Sequence, residues 1–206
     1  MRGTLYIFSG PAGVGKGTVL QRALKKLPGI GYSVSCTTRE PRPGLDVEGE
    51  TYYFLSEEEF RRRIAAGDFL EYANVHGHLY GTRRDIVDVL SPERLAFDPR
   101  RDIVEEALST GRDIVLEIDV QGAAIVKEKM PEAVTVFVKP PSFGELARRL
   151  KKRGSEGCEE QELRMKNAKE ELSHAGEYDY VIVNDIVEDA VSEFIKIVKK
   201  HREEIK

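Results

Sequence analysis

Apolar residues follow two rhythms along this chain. Thr4–Ser9 (TLYIFS) is a short, almost unbroken apolar run ending at Gly10, the pattern of a parallel strand buried on both faces. Asp113–Ile118 (DIVLEI), Ala133–Val138 (AVTVFV) and Tyr180–Val183 (YVIV) read the same way. Elsewhere the spacing lengthens to helical intervals. Helices are predicted over about Gly17–Leu27, Ser142–Lys152, Glu159–Leu172 and Glu188–Arg202, the last carrying Ala190, Val191, Phe194, Ile197 and Val198 on one face. Tyr32–Thr38 and Thr51–Leu55 are rich in β-formers and predict two strands on either side of a polar turn region, REPRPGLDVEGE. Ser56-Glu57-Glu58-Glu59 is a capping box, with a hydroxyl for the first free N–H groups, and opens a helix running to about Ala66. Strands alternating with helices predict an α/β fold: a parallel sheet with helices on both faces, and a small lobe inserted after the first helix.

One repeat interrupts the pattern. RRDIVDVL at Arg83–Leu90 recurs as RRDIVEEAL at Arg100–Leu108, offset by 17 residues. It is too short and isolated for a solenoid and reads as a local duplication. Pro92 and Pro99 prevent one continuous helix across it. The added segment is expected either as a surface helix–turn or as a subunit contact or strut.

Composition narrows the function. The 206 residues suffice for one α/β domain with inserted lobes, and 40% hydrophobic with 33% charged residues is ordinary for a globular protein. Lys+Arg number 32 against Asp+Glu 36, a net charge of −4, which argues against a dedicated nucleic-acid binder while leaving a local basic cleft open. Cys36 and Cys158 lack metal-type spacing and predict a reduced, cytoplasmic protein. The start MRGTLYIFSG runs straight into a strand pattern without a signal region, and no apolar run nears membrane-spanning length. No membrane partner is expected.

The chemistry begins at Gly10-Pro11-Ala12-Gly13-Val14-Gly15-Lys16, a G-x-x-x-x-G-K loop between a predicted strand and a predicted helix. Glycines let backbone N–H groups turn inward around phosphates, the helix start adds partial positive charge, and Lys16 adds a full one. The bland alternative is a Gly-rich turn, which leaves Lys16 and its strand–helix setting unexplained. Gly17 stands where the strict motif has Ser or Thr, so the hydroxyl for Mg²⁺ is assigned to the next residue, Thr18. From Ser33 the chain continues with SVSCTTREPRPG, then GETYYF, FLEYANVHGHLYGT and LEIDVQGA.

In that order, and over nearly the whole chain, these motifs resemble guanylate kinases. The GKGT variant occurs in several nucleoside monophosphate kinases. The resemblance implies ATP-dependent phosphorylation of GMP, and of dGMP, with Mg²⁺ as cofactor. It assigns Arg39 and Arg42, with Tyr52 and Tyr80, to the GMP phosphate, where guanidinium forks suit phosphate oxygens and phenols add neutral donors. It assigns Ser35, Glu71, Thr82 and Asp119 to the guanine. A carboxylate such as Glu71 accepts from guanine N1–H and the N2 amine, and adenine offers neither donor. Taken singly, the arginines read equally as solvated surface and Glu71 as a helix-end charge. Lys16, Arg42, Arg153 and Arg164 match catalytic positions, the last two in a lid over ATP; Arg149 is a third lid candidate, while Lys151 and Lys152 read as a solvated face. Gly10 to Thr18 and Asn184 match the ATP site, with a helix-capping role for Asn184 left open. His76, His78, His174 and His201 form no ligand cluster.

The implied layout is one domain: core 1–32 with the phosphate loop, GMP lobe 33–98 including the inserted segment 83–98, core 99–141, lid 142–165 and core 166–206. Two rivals remain: a scaffold-type domain that keeps the acceptor lobe but binds peptides, and a kinase of another acceptor such as a phosphorylated sugar. The intact loop with Lys16 speaks against the first, and Glu71 with Ser35 against the second. Oligomeric state is open.

Overall fold

The computed structural model describes residues 1–75, 77–85, 103–153 and 158–204, excepting the side chains of 103, 152, 153 and 158–162. His76, residues 86–102 and residues 154–157 lie outside the described residues, so Arg83–Asp85 is the described part of the expected insertion. In chain order the first elements are β1 (Leu5–Ser9), α1 (Lys16–Leu24), β2 (Ile30–Ser33), β3 (Cys36–Thr37), β4 (Tyr53–Phe54), α2 (Glu57–Ala66), β5 (Phe69–Val75) and β6 (His78–Arg83). There follow α3 (Ile103–Ser109), β7 (Asp113–Glu117), α4 (Val120–Lys129), β8 (Val134–Lys139), α5 (Phe143–Arg153), α6 (Cys158–Ser173), β9 (Tyr180–Val183) and α7 (Val187–Glu204). The protein is α/β, as the sequence predicts: a parallel sheet flanked by helices, with strand order β2-β7-β1-β8-β9. Every residue of β1 is buried, as expected of a strand covered on both faces. The predicted helices shift at their ends by a residue or a few.

The chain divides into two compact units. One comprises Met1–Ile7 and Gly29–Ala133. Here β2 pairs in parallel with β7, and a second sheet has the order β4-β3-β6-β5. The predicted single strand Tyr32–Thr38 is therefore two strands in two sheets. Ser33 pairs with Leu116 of β7, whereas Cys36 pairs with Tyr53 of β4 and Gly81 of β6. β-propensity marks extended chain but not the partner that satisfies its hydrogen bonds, so the switch is invisible in the sequence.

The β5–β6 hairpin is the larger addition. Its turn holds Gly77 at φ 84°, with Asn74 Oδ1 accepting from Gly77 N at 3.1 Å. Alternation sorts its two faces. One face carries Cys36, Phe69 and Gly81 against Phe60 of α2, forming a small core with Tyr53, Leu55, Ile64 and Leu79 around it. Ser56 caps α2 by accepting from Glu59 N, as the capping box predicts. The opposite face carries Thr37, Tyr80, Thr82 and Glu71.

The other unit comprises Phe8–Pro28 and Val134–Lys206. β8 and β9 run parallel. Phe8 meets Phe194 of α7 edge to face at 4.9 Å, and Ala190, Val191, Phe194, Ile197 and Val198 are buried, the face that the helical spacing picked out. No described helix is long and apolar enough to cross a membrane.

Candidate active site

The phosphate loop leaves the end of β1 and enters α1 without a side-chain cap. Gly15 takes the N-cap position with φ 94° and makes no capping bond, so the first N–H groups of α1 keep their donor capacity for an anion. Gly10 (φ 140°) passes so close to β8 that a Cβ would stand 2.2 Å from Val138 O. These glycines are required by backbone geometry and close approach. Lys16 Nζ folds back over the loop and donates to Gly10 O at 2.5 Å and Pro11 O at 3.2 Å. Thr18 is exposed in the first turn of α1.

Several side chains brace this loop. Asn184, buried after β9, donates from Nδ2 to Val14 O at 2.8 Å. Its side chain is thus committed to the loop, and not to the first turn of α7 that the capping alternative envisaged. Arg149 of α5 donates to Val14 O at 3.3 Å and Asn184 O at 3.1 Å while its Nε donates to Glu145 at 2.7 Å. Glu171 of α6 accepts from Ala12 N at 3.3 Å. Arg164 lies half-buried on α6, and Arg153 is the last residue of α5, its side chain outside the description.

In the first unit, the turn after β3 is organised by an acid that sequence reasoning passed over. Asp46, its side chain 1% exposed, accepts from Arg39 Nη1 at 2.9 Å, from Arg42 Nε at 3.1 Å and Nη2 at 3.0 Å, and from Arg42 N at 2.7 Å. Burial pushes the Asp46 carboxyl up, but the hydrogen bonds from Arg42 and Arg39 outweigh it and hold it well below the usual carboxylate range. The two arginines expected at a phosphate are therefore held together with one net positive charge. Arg39 also lies over the Tyr52 ring at 5.5 Å, and Tyr52 meets Tyr80 edge to face at 5.8 Å. All four expected phosphate ligands form one cluster. Glu117, at the end of β7, is a further neighbour: it accepts from Tyr32 Oη at 3.3 Å, and burial together with its charge raises the Tyr52 phenol.

Three of the four base-reading candidates, Ser35, Glu71 and Thr82, lie on the sheet face opposite α2. Glu71 sits across from Thr82 in the β5–β6 register. Extending the β3–β6 register by one residue brings Ser35 opposite Thr82 as well. Glu71 Oε1 accepts from Thr82 N at 2.9 Å and Thr82 Oγ1 at 2.7 Å. Burial, with the charge of Asp119 adding to it, pushes the Glu71 carboxyl up to about 7 against the pull of the Thr82 bonds and Lys129. Asp119 caps α4, accepting from Gln121 N and Gly122 N. Ser35, Glu71, Thr82 and Asp119 thus come from four separate segments. Among the described residues no cluster of three or more His, Cys, Asp or Glu offers a metal cage.

A parallel α/β sheet with a glycine-built phosphate loop on its first strand, a lysine over that loop and an arginine pair defines a P-loop nucleotide-dependent phosphotransferase. The family model described as guanylate kinase matches residues 2–97 and 96–201, two pieces that meet inside the repeat-bearing stretch. The chain is 42% identical to the guanylate kinase of Thermotoga maritima over 205 residues, covering 100% of this chain and 90% of that protein. To the guanylate kinase of Symbiobacterium thermophilum it is 46% identical, covering 96% and 85%. The crystal structure of guanylate kinase from Anaplasma phagocytophilum aligns with a TM-score of 0.76 at 33% identity, covering 97% of this chain and 86% of that one. The chain belongs to the guanylate kinase family.

Proposed function

We propose that this enzyme transfers the γ-phosphoryl group of ATP to GMP, giving ADP and GDP, and that its two units hold the two nucleotides through the clusters described above. No side chain need form a covalent bond: a phosphate oxygen of GMP attacks the γ-phosphorus and ADP leaves, so the protein contributes position and charge. The N–H groups at the start of α1 and Lys16 receive the ATP phosphates. Asn184 serves the ATP site by fixing Val14 in the loop. The Thr18 hydroxyl, exposed in the first turn of α1, is an oxygen donor of the kind Mg²⁺ takes and would help hold the ion; a bound ion would neutralise phosphate charge. Arg39, Arg42, Tyr52 and Tyr80 receive the GMP phosphate, and Arg153 and Arg164 of the lid stabilise charge on the moving group. Ser35, Glu71, Thr82 and Asp119 read the base. The buried free thiol of Cys36 fits a reducing, cytoplasmic setting.

The observation that carries the choice of acceptor is Glu71. It is a nine-tenths buried carboxylate whose Oε1 is taken by Thr82, leaving Oε2 to accept from N1–H and the N2 amine of guanine. An adenine would leave that oxygen unpaired, and such mismatches discriminate strongly. ADP release with MgATP, measured across GMP, dGMP, AMP, CMP and UMP, tests the reading. GMP and dGMP should be turned over and the other three rejected by at least about a hundredfold. Turnover of none would return the chain to the peptide-binding alternative, and preference for another acceptor would remove the guanine assignment.

A further inference from the structure

Gly122, the third residue of α4, has no backbone reason to be glycine. It is absent from the residues with positive φ, and inside a helix glycine is the costlier choice than alanine. What it faces supplies the reason. A Cβ at this position would stand 2.6 Å from Glu71 Oε2 and 3.1 Å from Glu71 Cδ, well inside van der Waals contact. Both hydrogen bonds that Glu71 makes among the described residues fall on Oε1, so Gly122 borders the oxygen left over. The Glu71 carboxylate is the far end of a flexible side chain, whereas the neighbouring Ile118 Cβ lies at an ordinary 3.5 Å. A methyl group here would therefore push the carboxylate aside and leave α4 standing.

We infer that Gly122 is a specificity-determining positioning residue: its missing side chain keeps Glu71 Oε2 seated where it can accept from the guanine edge. The inference rests on the reading of Glu71 as the guanine acceptor. Asp119 caps the same helix turn and accepts from Gly122 N at 2.9 Å, so the position of Gly122 is itself fixed from the N-cap. Cap, glycine and carboxylate form one unit, in which α4 sets how far Glu71 reaches.

The test compares Gly122→Ala, Glu71→Gln, Glu71→Asp and the double variant Gly122→Ala/Glu71→Asp in steady-state kinetics and melting. Gly122→Ala should melt no lower than the parent, keep its KM for MgATP and raise the KM for GMP by at least about tenfold, as misplacing a recognition group by an ångström does. The penalty should shrink in the Glu71→Asp background, because the shorter side chain withdraws from the added methyl. If Glu71→Gln leaves the KM for GMP unchanged, the guanine reading itself fails. If Glu71→Gln raises it but Gly122→Ala does not, the inference alone is overturned. A lower melting temperature, equal losses for GMP and MgATP, or an equal penalty in both Glu71 backgrounds would reduce Gly122 to a packing position and overturn it too.

Discussion

On the proposed reading, Glu71 is a buried acid that must be charged to accept from guanine. With its carboxyl pushed up to about 7 by burial and by Asp119, the unliganded protein loses the carboxylate as pH falls through neutrality. kcat/KM for GMP should therefore decline below about pH 7 more steeply in the parent than in Glu71→Gln. The GMP phosphate titrates near pH 6 in both proteins, so the difference between the two profiles isolates Glu71. Parallel profiles would show that this carboxylate stays charged or takes no part. Stability has a definite sign as well. The folded value lies above the ordinary 4.5, so the folded state binds the extra proton. The contribution of Glu71 is most favourable below about 4.5 and is lost as pH rises through about 7. Unfolding in denaturant at pH 5 and pH 8 measures it: the parent should lose more stability across that interval than Glu71→Gln.

At the scale of elements, the turn between β3 and β4 stands on Asp46. One buried carboxylate holds two guanidinium groups and a backbone N–H, so the turn and the arginine pair form together. Asp46→Asn keeps the shape but loses the charge that offsets two cations. At neutral pH it should cost about 1–3 kcal/mol of stability, the scale of a charged hydrogen-bond acceptor removed from its partners, and raise the KM for GMP. The sign opposes that of Glu71. The folded Asp46 carboxyl lies below its ordinary value, so its stabilisation is complete above about pH 4 and fades as pH falls below that. Chemical unfolding of both proteins at pH 7 and pH 3 should show the gap narrowing in acid. A gap independent of pH would mean that shape, not charge, holds the turn.

The whole molecule carries an apparent duplication, and the family match breaks at it. Deleting residues 83–99 joins Thr82 to Arg100 and rewrites the junction as the same RRDIV. Arg83 and Asp85 form a buried ion pair at the end of β6, with Arg83 Nε donating to Asp85 Oδ1 at 2.8 Å. After deletion Arg100 and Asp102 stand at those two sequence positions, so the pair can re-form. Connections lengthen or shorten at little entropic cost, and the shortened chain should be folded and active on GMP. Sedimentation, melting and GMP turnover test this. Activity lost by more than about tenfold, roughly 1.4 kcal/mol in the barrier, in a folded monomer would give the segment a part in catalysis. A changed oligomeric state alone would mark it as an interface.

What could be read without coordinates followed from local physics. Buried runs such as TLYIFS and YVIV, the helical spacing of α7 and the capping box at Ser56 announce themselves because each depends on neighbours in sequence. The phosphate loop is legible for the same reason: its glycines, its lysine and the helix it opens are contiguous. The acceptor lobe was legible only through the order and resemblance of its motifs, not through local pattern. Glu71 and Thr82 are polar residues buried in a hairpin, and the ladder is irregular between Phe69 and Glu71, so hydrophobic alternation fails where the chemistry lies. That residues 33 and 36 belong to different sheets, that Asn184 holds Val14, and that Gly122 leaves room for Glu71 are products of chain crossing, whereas Asp46 reaches Arg39 and Arg42 within one turn that no hydrophobic pattern announces. The sequence by itself determined most of the strand and helix segments and which residues are candidates for a phosphate. Only the tertiary structure decided which loop carbonyl Asn184 holds and where a missing methyl group matters, because those contacts join residues that the chain holds far apart.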